Sequence, residues 1–560
     1  MLPYNGRMKT ITVYWPFLTA ALIRLLLHSL SIEEYGYFGD EFYYLSCAAR
    51  LDAGYVDHPP LSVWLLYLVV SAFGDSLIAI RGLSVMAGIL TIGVGWALVR
   101  DMKGGPVAGL LTCTSIALAP VLMGLAKFHS MNSLDVLFWT LAIYLFNRSL
   151  SSARQSYRFW ILNGVVLGLG LLNKHGVLFL GAGFFAGMVV TNPRWLRRPQ
   201  PYICAAVALA IFSPNLFWQM DNGWPTLEFI RNASQNKNYF DPFAFITGLI
   251  LEMNPIAAPL WLSGFLALLV SGIYMAVFSG RERLSETGEA ARFAGARNPG
   301  CSRFAVSSPG PGFAKIAASV PSGLLPYRWV SVALIAAFLI VFMGQGKSYY
   351  LAGAFPVLFA AGAVYAERWK KSAFVYCLVI LGFGLALSPM SMPLLAPANY
   401  QTYESTLGVA PPKFEKYGRG TMPQHFAGMF GWPEIEDAAL AAYESVPASL
   451  KDDTVIIGRN YFLAGPMDRL YRAGMLPEAG SGHNSFYLWG PPMARSGPTK
   501  VVIFLGFDEE FVRRHFGRLE HRSTIHCTEC MDFRRKTEVM IGYDPIRPLS
   551  EIWSEFKRYN

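Results

Sequence analysis

Apolar runs separated by short gaps rich in Lys and Arg constrain the fold of this chain more than any other feature. The first run, residues 11–30, is long enough to cross a bilayer, because about 20 apolar residues in a helix span the hydrocarbon core. Only 15% of the 560 residues are charged, whereas an ordinary soluble protein carries about 25%. The sequence therefore predicts a polytopic α-helical membrane protein.

About eleven runs are predicted to cross the membrane. They are residues 11–30, 76–99, 106–125, 134–150, 159–172, 177–190, 202–218, 256–278, 329–343, 349–364 and 373–390. Two further apolar stretches are predicted to lie along the membrane surface. Residues 58–74 are short and begin beside two prolines, and residues 243–255 come directly before a full-length run.

The basic residues predict the orientation of these spans. Counting from a cytoplasmic N-terminus that carries Arg7 and Lys9, every gap rich in Lys and Arg falls on one side. The loops that contain Asp40, Lys174 and Lys347 fall on the other side, as the positive-inside rule requires. The net charge of +10 is therefore interpreted as a signal of orientation, and no nucleic-acid partner is predicted.

Two domains are predicted. Residues 1–395 form the membrane domain, with a first external loop at 33–75 and a disordered cytoplasmic loop at 279–326, which is rich in Arg, Gly, Ser, Ala and Pro. In residues 396–560, apolar strands at 454–458 and 500–506 alternate with amphipathic stretches. This alternation predicts an extracytoplasmic α/β domain with a parallel sheet. It carries no nucleotide-binding motif, so no nucleotide is predicted.

Two cysteines in the C-terminal domain are close enough in sequence to interact. Cys527 and Cys530 lie in the segment HCTEC and could form a disulfide in an external domain, or join His526 as metal ligands. A zinc site needs more ligands than this segment offers. A structural role is favoured, and no metal site is assigned.

The segment at residues 38–61, FGDEFYYLSCAARLDAGYVDHPPL, carries the strongest functional signal. Asp40 and Glu41 lie about one turn beyond the end of the first predicted span. Acidic side chains at the rim of a membrane are costly unless they face water or a partner, which marks them as candidate functional residues. The alternative interpretation is that both are solvated loop carboxylates.

This segment resembles the polyprenyl-phosphate-sugar-dependent glycosyltransferases of family 39, the group of the bacterial relatives of protein O-mannosyltransferases and of aminoarabinose transferase. The Asp-Glu pair, the YY that follows and the later GY-D-HPPL element carry the likeness. The resemblance implies a GT-C fold. It also implies inverting transfer of a sugar from a polyprenyl-phosphate donor to an extracytoplasmic acceptor.

Glycosyl transfer of this kind needs a base that takes a proton from the acceptor hydroxyl, and a carboxylate can serve. Asp40 is the first candidate, and Glu41 is the second. Asp135 resembles a second acidic position of the family, although a carboxylate at that helix start is also favoured by the helix dipole. Tyr43 and Tyr44 are candidates to line the donor or acceptor site.

Cations must stabilise the charge that develops on the leaving phosphate. Lys174 in LLNKHG and Lys347 in GQGKSYY resemble family lysines, although either could instead extend to the membrane interface. Arg81, inside the second span, requires an anion or a carboxylate partner. His58 stands where several relatives have a lysine, and it is assigned to the lining of the donor site. Asp57 and Tyr349 are assigned to the lining of the donor or acceptor site.

Two other functions are considered. A transporter or flippase of a lipid-linked sugar would also carry charged residues near the membrane. No internal repeat of the transporter kind is evident, and the polar residues cluster at one rim. In the other alternative, the external α/β domain carries the function and the membrane spans serve only as an anchor. About eleven spans are far more than such an anchor needs.

The resemblance also implies partners and a location. The partners are the polyprenyl-phosphate sugar, membrane lipid, and an acceptor that is a lipid, a protein or a polysaccharide. The location is the bacterial inner membrane. A lipid-phosphate leaving group does not require a metal, and the use of a divalent cation is left open. The identity of the sugar and of the acceptor cannot be read from the sequence.

Overall fold

The computed structural model describes residues 5–151, 156–286, 319–408, 413, 415–416 and 420–560. Most of the loop predicted as disordered, residues 287–318, lies outside the described residues. At its edges the structure differs from the prediction, because one helix continues to Glu286 and a 3-10 helix occupies Ser322–Tyr327.

Helices make up the membrane domain. They are α1 Asn5–Ser29, α2 Gly39–Ala48, α3 Leu61–Phe73, α4 Leu77–Asp101, α5 Pro106–Ala117, α6 Pro120–Gly124, α7 Met131–Ser151, α8 Tyr157–Asn173, α9 Val177–Thr191, α10 Gln200–Asp221, α11 Pro225–Asn232, α12 Pro242–Leu251, α13 Ala258–Glu286, α14 Trp329–Met343, α15 Phe355–Ala366 and α16 Lys370–Leu387. Each of the eleven predicted runs coincides with one or more of these helices.

Four helical stretches in the described part of the chain are long and apolar enough to cross a membrane. These are Leu77–Asp101, Gln200–Asp221, Pro255–Ile273 and Ser348–Met390. Shorter apolar helices, such as α9 and α14, pack among them. The chain is therefore a multi-pass helical membrane protein, and the count of about eleven spans stays a prediction.

Small residues allow the membrane helices to approach closely. A Cβ atom added at Gly362 of α15 would lie 1.9 Å from the carbonyl oxygen of Leu260 in α13. One added at Gly264 of α13 would lie 2.2 Å from the carbonyl oxygen of Leu358. Membrane helices associate through such small-residue contacts, because lipid offers no hydrophobic drive for association. The two glycines keep α13 and α15 in backbone contact.

The C-terminal domain contains a five-stranded sheet and short helices. Its elements are α17 Pro397–Leu407, α18 Gln424–Ala427, α19 Trp432–Ser445, β1 Thr454–Gly458, α20 Tyr461–Arg472, β2 Ala479–Gly480, α21 Ser485–Leu488, β3 Val501–Leu505, α22 Glu509–His515, β4 Phe516–His526, β5 Lys536–Pro545 and α23 Leu549–Ile552. Cys527 and Cys530 form a disulfide bond just after β4.

The strand order is β2-β1-β3-β5-β4. The prediction of a parallel sheet is correct for β1, β2 and β3, which pair in parallel. It is wrong for β4 and β5, because β5 pairs antiparallel with both β3 and β4. These two strands follow one another with a short connection, which suits an antiparallel pair, whereas parallel neighbours need a longer crossover. The sheet is therefore mixed.

The sheet is covered on both faces, and one face joins the two domains. Ile456 and Ile503 pack in the same hydrophobic core as Phe42 of α2. On the opposite face, Val455 and Phe504 belong to a separate core. Because α2 lies in the predicted first external loop, this loop and the C-terminal domain share one core, and the position of α2 depends on that domain.

Candidate active site

The two carboxylates in the first turn of α2, Asp40 and Glu41, point in different directions and have different partners. Neighbouring residues of a helix point about 100° apart, since 3.6 residues make a turn. Glu41 is fully buried and accepts hydrogen bonds from Arg81 Nε at 2.9 Å and Nη2 at 2.8 Å. It also accepts from the backbone N–H groups of Phe38 and His129. Arg81 is fully buried as well, so neither side chain of this ion pair is exposed to solvent.

Asp40 is only partly buried and points towards the C-terminal domain. The hydroxyl of Tyr461, the first residue of α20, donates a hydrogen bond of 3.0 Å to Asp40 Oδ1. Burial raises the pKa of Asp40 to about 6, although Lys237 and the bond from Tyr461 favour the charged form. A carboxyl with a pKa near the working pH is well suited to accept a proton.

A carboxylate lies between two lysines beside Asp40. Oε1 of Glu415 is 3.3 Å from Nζ of Lys347 and 3.9 Å from Nζ of Lys237. Its other oxygen accepts a hydrogen bond of 2.5 Å from Gln424. The backbone of Glu415 forms an isolated β-bridge with Asn238. This bridge aligns Glu415 with the segment that carries Lys237.

The charges of this cluster stabilise one another. Burial alone would raise the pKa of Glu415, but Lys237 and Lys347 outweigh it and the pKa is lowered. Burial would lower the pKa of Lys347, but Glu415 is the main opposing group and the pKa is raised. Asp40 adds to the field at Lys347 in the same direction. Glu415 and Lys347 are therefore both charged near neutral pH.

Lys174 lies next to the aromatic pair that follows Lys347. Its ammonium group is 4.6 Å from the ring centre of Tyr350 and 5.6 Å from that of Tyr349. It also lies 3.4 Å from Oδ2 of Asp135 and donates a hydrogen bond of 2.8 Å to Asn132. Asp135 and Lys174, predicted separately as acid and cation, thus form one ion pair.

The remaining predicted lining residues contact one another near Asp40. Tyr43 donates a hydrogen bond of 2.8 Å to Asp57 Oδ1. The ring of His58 stacks on Tyr44 with centroids 4.6 Å apart, and the side chain of His58 is 1% exposed. His58 Nε2 lies 3.9 Å from Asp57 Oδ1 and makes no hydrogen bond within the described part of the chain. His58 therefore contacts mainly aromatic rings.

Sequence reasoning missed four residues of this region, namely Lys237, Glu415, Tyr461 and His483. The ring of His483 packs on Tyr461 with centroids 4.9 Å apart, and burial lowers its pKa to about 3. The neighbouring Ser485 donates from its backbone N–H to the hydroxyl of Tyr43. His483 and Ser485 belong to the segment SGHNSFY. Lys237, Glu415 and Tyr461 belong to no motif that can be read from the sequence.

The structure brings most of the predicted residues to one end of the helical bundle. Asp40 is an electrostatic neighbour of Lys347 and Tyr349, and Lys174 reaches Tyr349 from the other side. Among the described residues, no group of three or more His, Cys, Asp and Glu side chains is arranged to hold a metal ion. The arrangement offers a proton acceptor beside several cations.

Sequence comparison gives one family match. Residues 57–218 match the family described as dolichyl-phosphate-mannose-protein mannosyltransferase. This range contains His58, Arg81, Asp135 and Lys174, and it excludes Asp40 and Lys347.

Two curated relatives come from Rhizobium johnstonii. The chain is 25% identical over 209 residues to the lipid A galacturonosyltransferase RgtD, covering 37% of this chain and 43% of that protein. It is 31% identical over 183 residues to the lipopolysaccharide core galacturonosyltransferase RgtB, covering 31% and 35%. The matches therefore span less than half the length of either relative.

Two solved structures share the fold over almost the whole chain. ArnT from Cupriavidus metallidurans bound to undecaprenyl phosphate has a TM-score of 0.52 and 15% identity. The apo state of the same protein has a TM-score of 0.53 and 14% identity. Each match covers 93% of this chain and 97% of the ArnT chain.

Proposed function

We propose that the chain is a glycosyltransferase of the family-39-like GT-C group and that it uses a polyprenyl-phosphate sugar; the family match of residues 57–218 and the shared fold support this proposal. The sugar passes to an acceptor outside the cytoplasm, with inversion at the anomeric carbon and with Asp40 as the general base. Lys347 and Lys237 bind the phosphate of the donor. Lys174, held by Asp135, supports the aromatic wall of the site.

One observation carries this proposal: the carboxyl of Asp40, which accepts a hydrogen bond from Tyr461, lies near the two lysines that face Glu415. In the reaction, Asp40 accepts the proton of the acceptor hydroxyl as its oxygen attacks the anomeric carbon. The bond between that carbon and the phosphate oxygen breaks on the opposite face. The lysines stabilise the negative charge on the departing lipid phosphate.

The lining residues have positioning roles in this proposal. Tyr43 and Asp57, joined by their hydrogen bond, hold each other in place near Asp40. His58 and Tyr44 form a buried stacked pair that supports the donor site. Tyr349 lies between Lys174 and the Asp40 side of the site, where an aromatic ring can pack against a sugar or a prenyl chain.

The relatives support a narrower substrate class. Two of them are named as galacturonosyltransferases of lipid A and of the lipopolysaccharide core, and a structural neighbour was solved with undecaprenyl phosphate. We therefore propose galacturonic acid as the sugar, a bacterial polyprenyl phosphate as the carrier, and a lipopolysaccharide lipid as the acceptor. The reaction then takes place at the outer face of the inner membrane.

Mass spectrometry of lipid A and core oligosaccharide tests this function. Cells that lack the chain should lose a hexuronic acid from one of these molecules, and the wild-type chain should restore it. The Asp40→Asn variant, expressed at the same level, should not restore it. A flippase would still move its lipid after this substitution, so full restoration by the variant would support the transporter alternative. Identical glycolipids in all strains would contradict the proposed acceptor.

A further inference from the structure

We propose that Glu415 is a resident counter-ion of the donor site and that the phosphate of the lipid-linked donor replaces its carboxylate between Lys237 and Lys347. This inference rests on the proposed function, because it assumes that the donor carries a phosphate. The proposal gives Glu415, which precedes the C-terminal sheet in sequence, a direct role in setting the affinity for the donor.

The first argument is electrostatic. The side chains of Lys237 and Lys347 are only 20% and 15% exposed, and both ammonium groups face the same oxygen of Glu415. Two cations held close together and partly removed from water repel each other, and they need an anion to stay charged. In the site as it stands, Glu415 supplies that anion.

The second argument is chemical similarity. A lipid phosphate presents anionic oxygens that lysine ammonium groups bind as they bind a carboxylate. Asp40 lies near both lysines, since it interacts electrostatically with each of them. A phosphate placed between the lysines would therefore hold its attached sugar near the proposed base. Glu415 occupies this place between the two ammonium groups.

The third argument is mutual exclusion. A carboxylate and a phosphate between the same two ammonium groups would repel each other at a distance of a few ångströms. Donor binding must therefore move the carboxylate of Glu415 away from the lysines. Only the side chain has to rotate, because separate backbone contacts hold the segment: the N–H of Lys416 donates to the carbonyl of Lys237 at 2.8 Å.

Binding of undecaprenyl phosphate to the purified full-length protein in lipid nanodiscs tests the inference. Glu415→Gln removes the competing charge and keeps the size of the side chain, so it should bind undecaprenyl phosphate about tenfold more tightly than wild type. Glu228→Gln is the matched control, because Glu228 forms an exposed ion pair with Lys557 and should leave the affinity unchanged. Lys237→Met and Lys347→Met should both weaken binding.

A second measurement uses the wild-type chain and does not depend on how the variant folds. A zero-length carbodiimide reagent should couple Glu415 to Lys347 or Lys237, as detected by peptide mass spectrometry. Saturation with undecaprenyl phosphate should suppress this product, while coupling of Glu228 to Lys557 should continue. Undiminished coupling at saturation would overturn the inference.

The outcomes separate the inference from the proposed function. If wild type binds undecaprenyl phosphate and a folded Glu415→Gln variant binds it equally or more weakly, only the role of Glu415 is wrong. If wild type does not bind undecaprenyl phosphate, the proposed donor class is wrong and the inference fails with it. If Glu415 only held its segment in place, removal of its charge would not increase the affinity for undecaprenyl phosphate.

Discussion

Tyr461 and Asp40 are 421 positions apart in sequence, and a hydrogen bond of 3.0 Å joins their side chains. Asp40 lies in the first turn of the helix of the first loop, and Tyr461 begins the helix after the first strand of the C-terminal sheet. The position of the candidate base therefore depends on both domains. The C-terminal domain contributes Tyr461 to the candidate site.

This bond predicts a change in the pH profile. A general base at Asp40, as proposed, requires the deprotonated carboxylate, so turnover should rise with pH through about 6 and then level off. The hydroxyl of Tyr461 stabilises the carboxylate, so Tyr461→Phe should raise the pKa of Asp40 and move the acid limb to higher pH. Tyr471→Phe, on the same helix, is the control. An unchanged acid limb for Tyr461→Phe would show that the bond does not tune the base.

Lys347 should contribute to donor affinity. Its ammonium group interacts with Glu415 and with Asp40, in the position proposed for the phosphate. Lys347→Met should raise the KM for the donor roughly 10- to 100-fold, since a hydrogen bond to a charged group contributes about 1.5–3 kcal/mol. Lys413→Met is the control, because Lys413 is exposed and packs on Tyr239. Equal KM values for both variants would remove Lys347 from the site.

The pair of Glu41 and Arg81 should determine stability and not the chemistry. Both side chains are fully buried, and removing one partner leaves an uncompensated charge that costs about 3–5 kcal/mol. Arg81→Met should therefore lower the thermal unfolding midpoint strongly, and the double variant Glu41→Leu/Arg81→Met should recover part of the loss. The exposed pair of Arg513 and Glu509 provides a control, because Arg513→Met should cost about 1 kcal/mol at most.

Close packing of α20 on α2 gives a further prediction. A Cβ atom added at Gly465 would lie 2.7 Å from Cβ of Phe42. Because the Cβ atom of Phe42 is fixed to the backbone of α2, the clash can be relieved only by a shift of one of the two helices. Gly465→Ala should push α20 away from α2, separate Tyr461 from Asp40 and lower kcat more than donor affinity. Gly181→Ala, where the added Cβ meets open space, should leave both unchanged. If Gly465→Ala lowered only the donor affinity and left kcat unchanged, the contact between α20 and α2 would not affect the catalytic step.

Hydropathy was sufficient to locate the apolar helices, because a helix that crosses a membrane must be apolar over its whole length and the signal is local. The acidic pair was found for a similar reason, since charges at the rim of a membrane are rare. Its division into one buried ion pair and one partly buried acid depends on helix geometry and on Arg81, 40 residues from Glu41. This difference between Asp40 and Glu41 could not be predicted from the residues next to them in sequence.

The residues missed by sequence analysis are brought together by tertiary structure. Glu415 reaches Lys347 from the linker before the sheet, and Tyr461 reaches Asp40 from the sheet domain itself. Neither belongs to a motif with its own spacing or composition. The antiparallel pairing of β4 and β5 was likewise missed, because alternation of strands and helices indicates a parallel sheet only while each strand is followed by a helix.

The central claim is that Asp40 takes a proton from the acceptor during sugar transfer from a lipid phosphate. Its most direct test is transfer from undecaprenyl-phosphate galacturonic acid to lipid A by purified wild type and by Asp40→Asn, with donor binding measured in the same preparations. We expect the variant to lose at least about 100-fold in kcat and to keep donor binding. Transfer by Asp40→Asn at the wild-type rate would contradict the account.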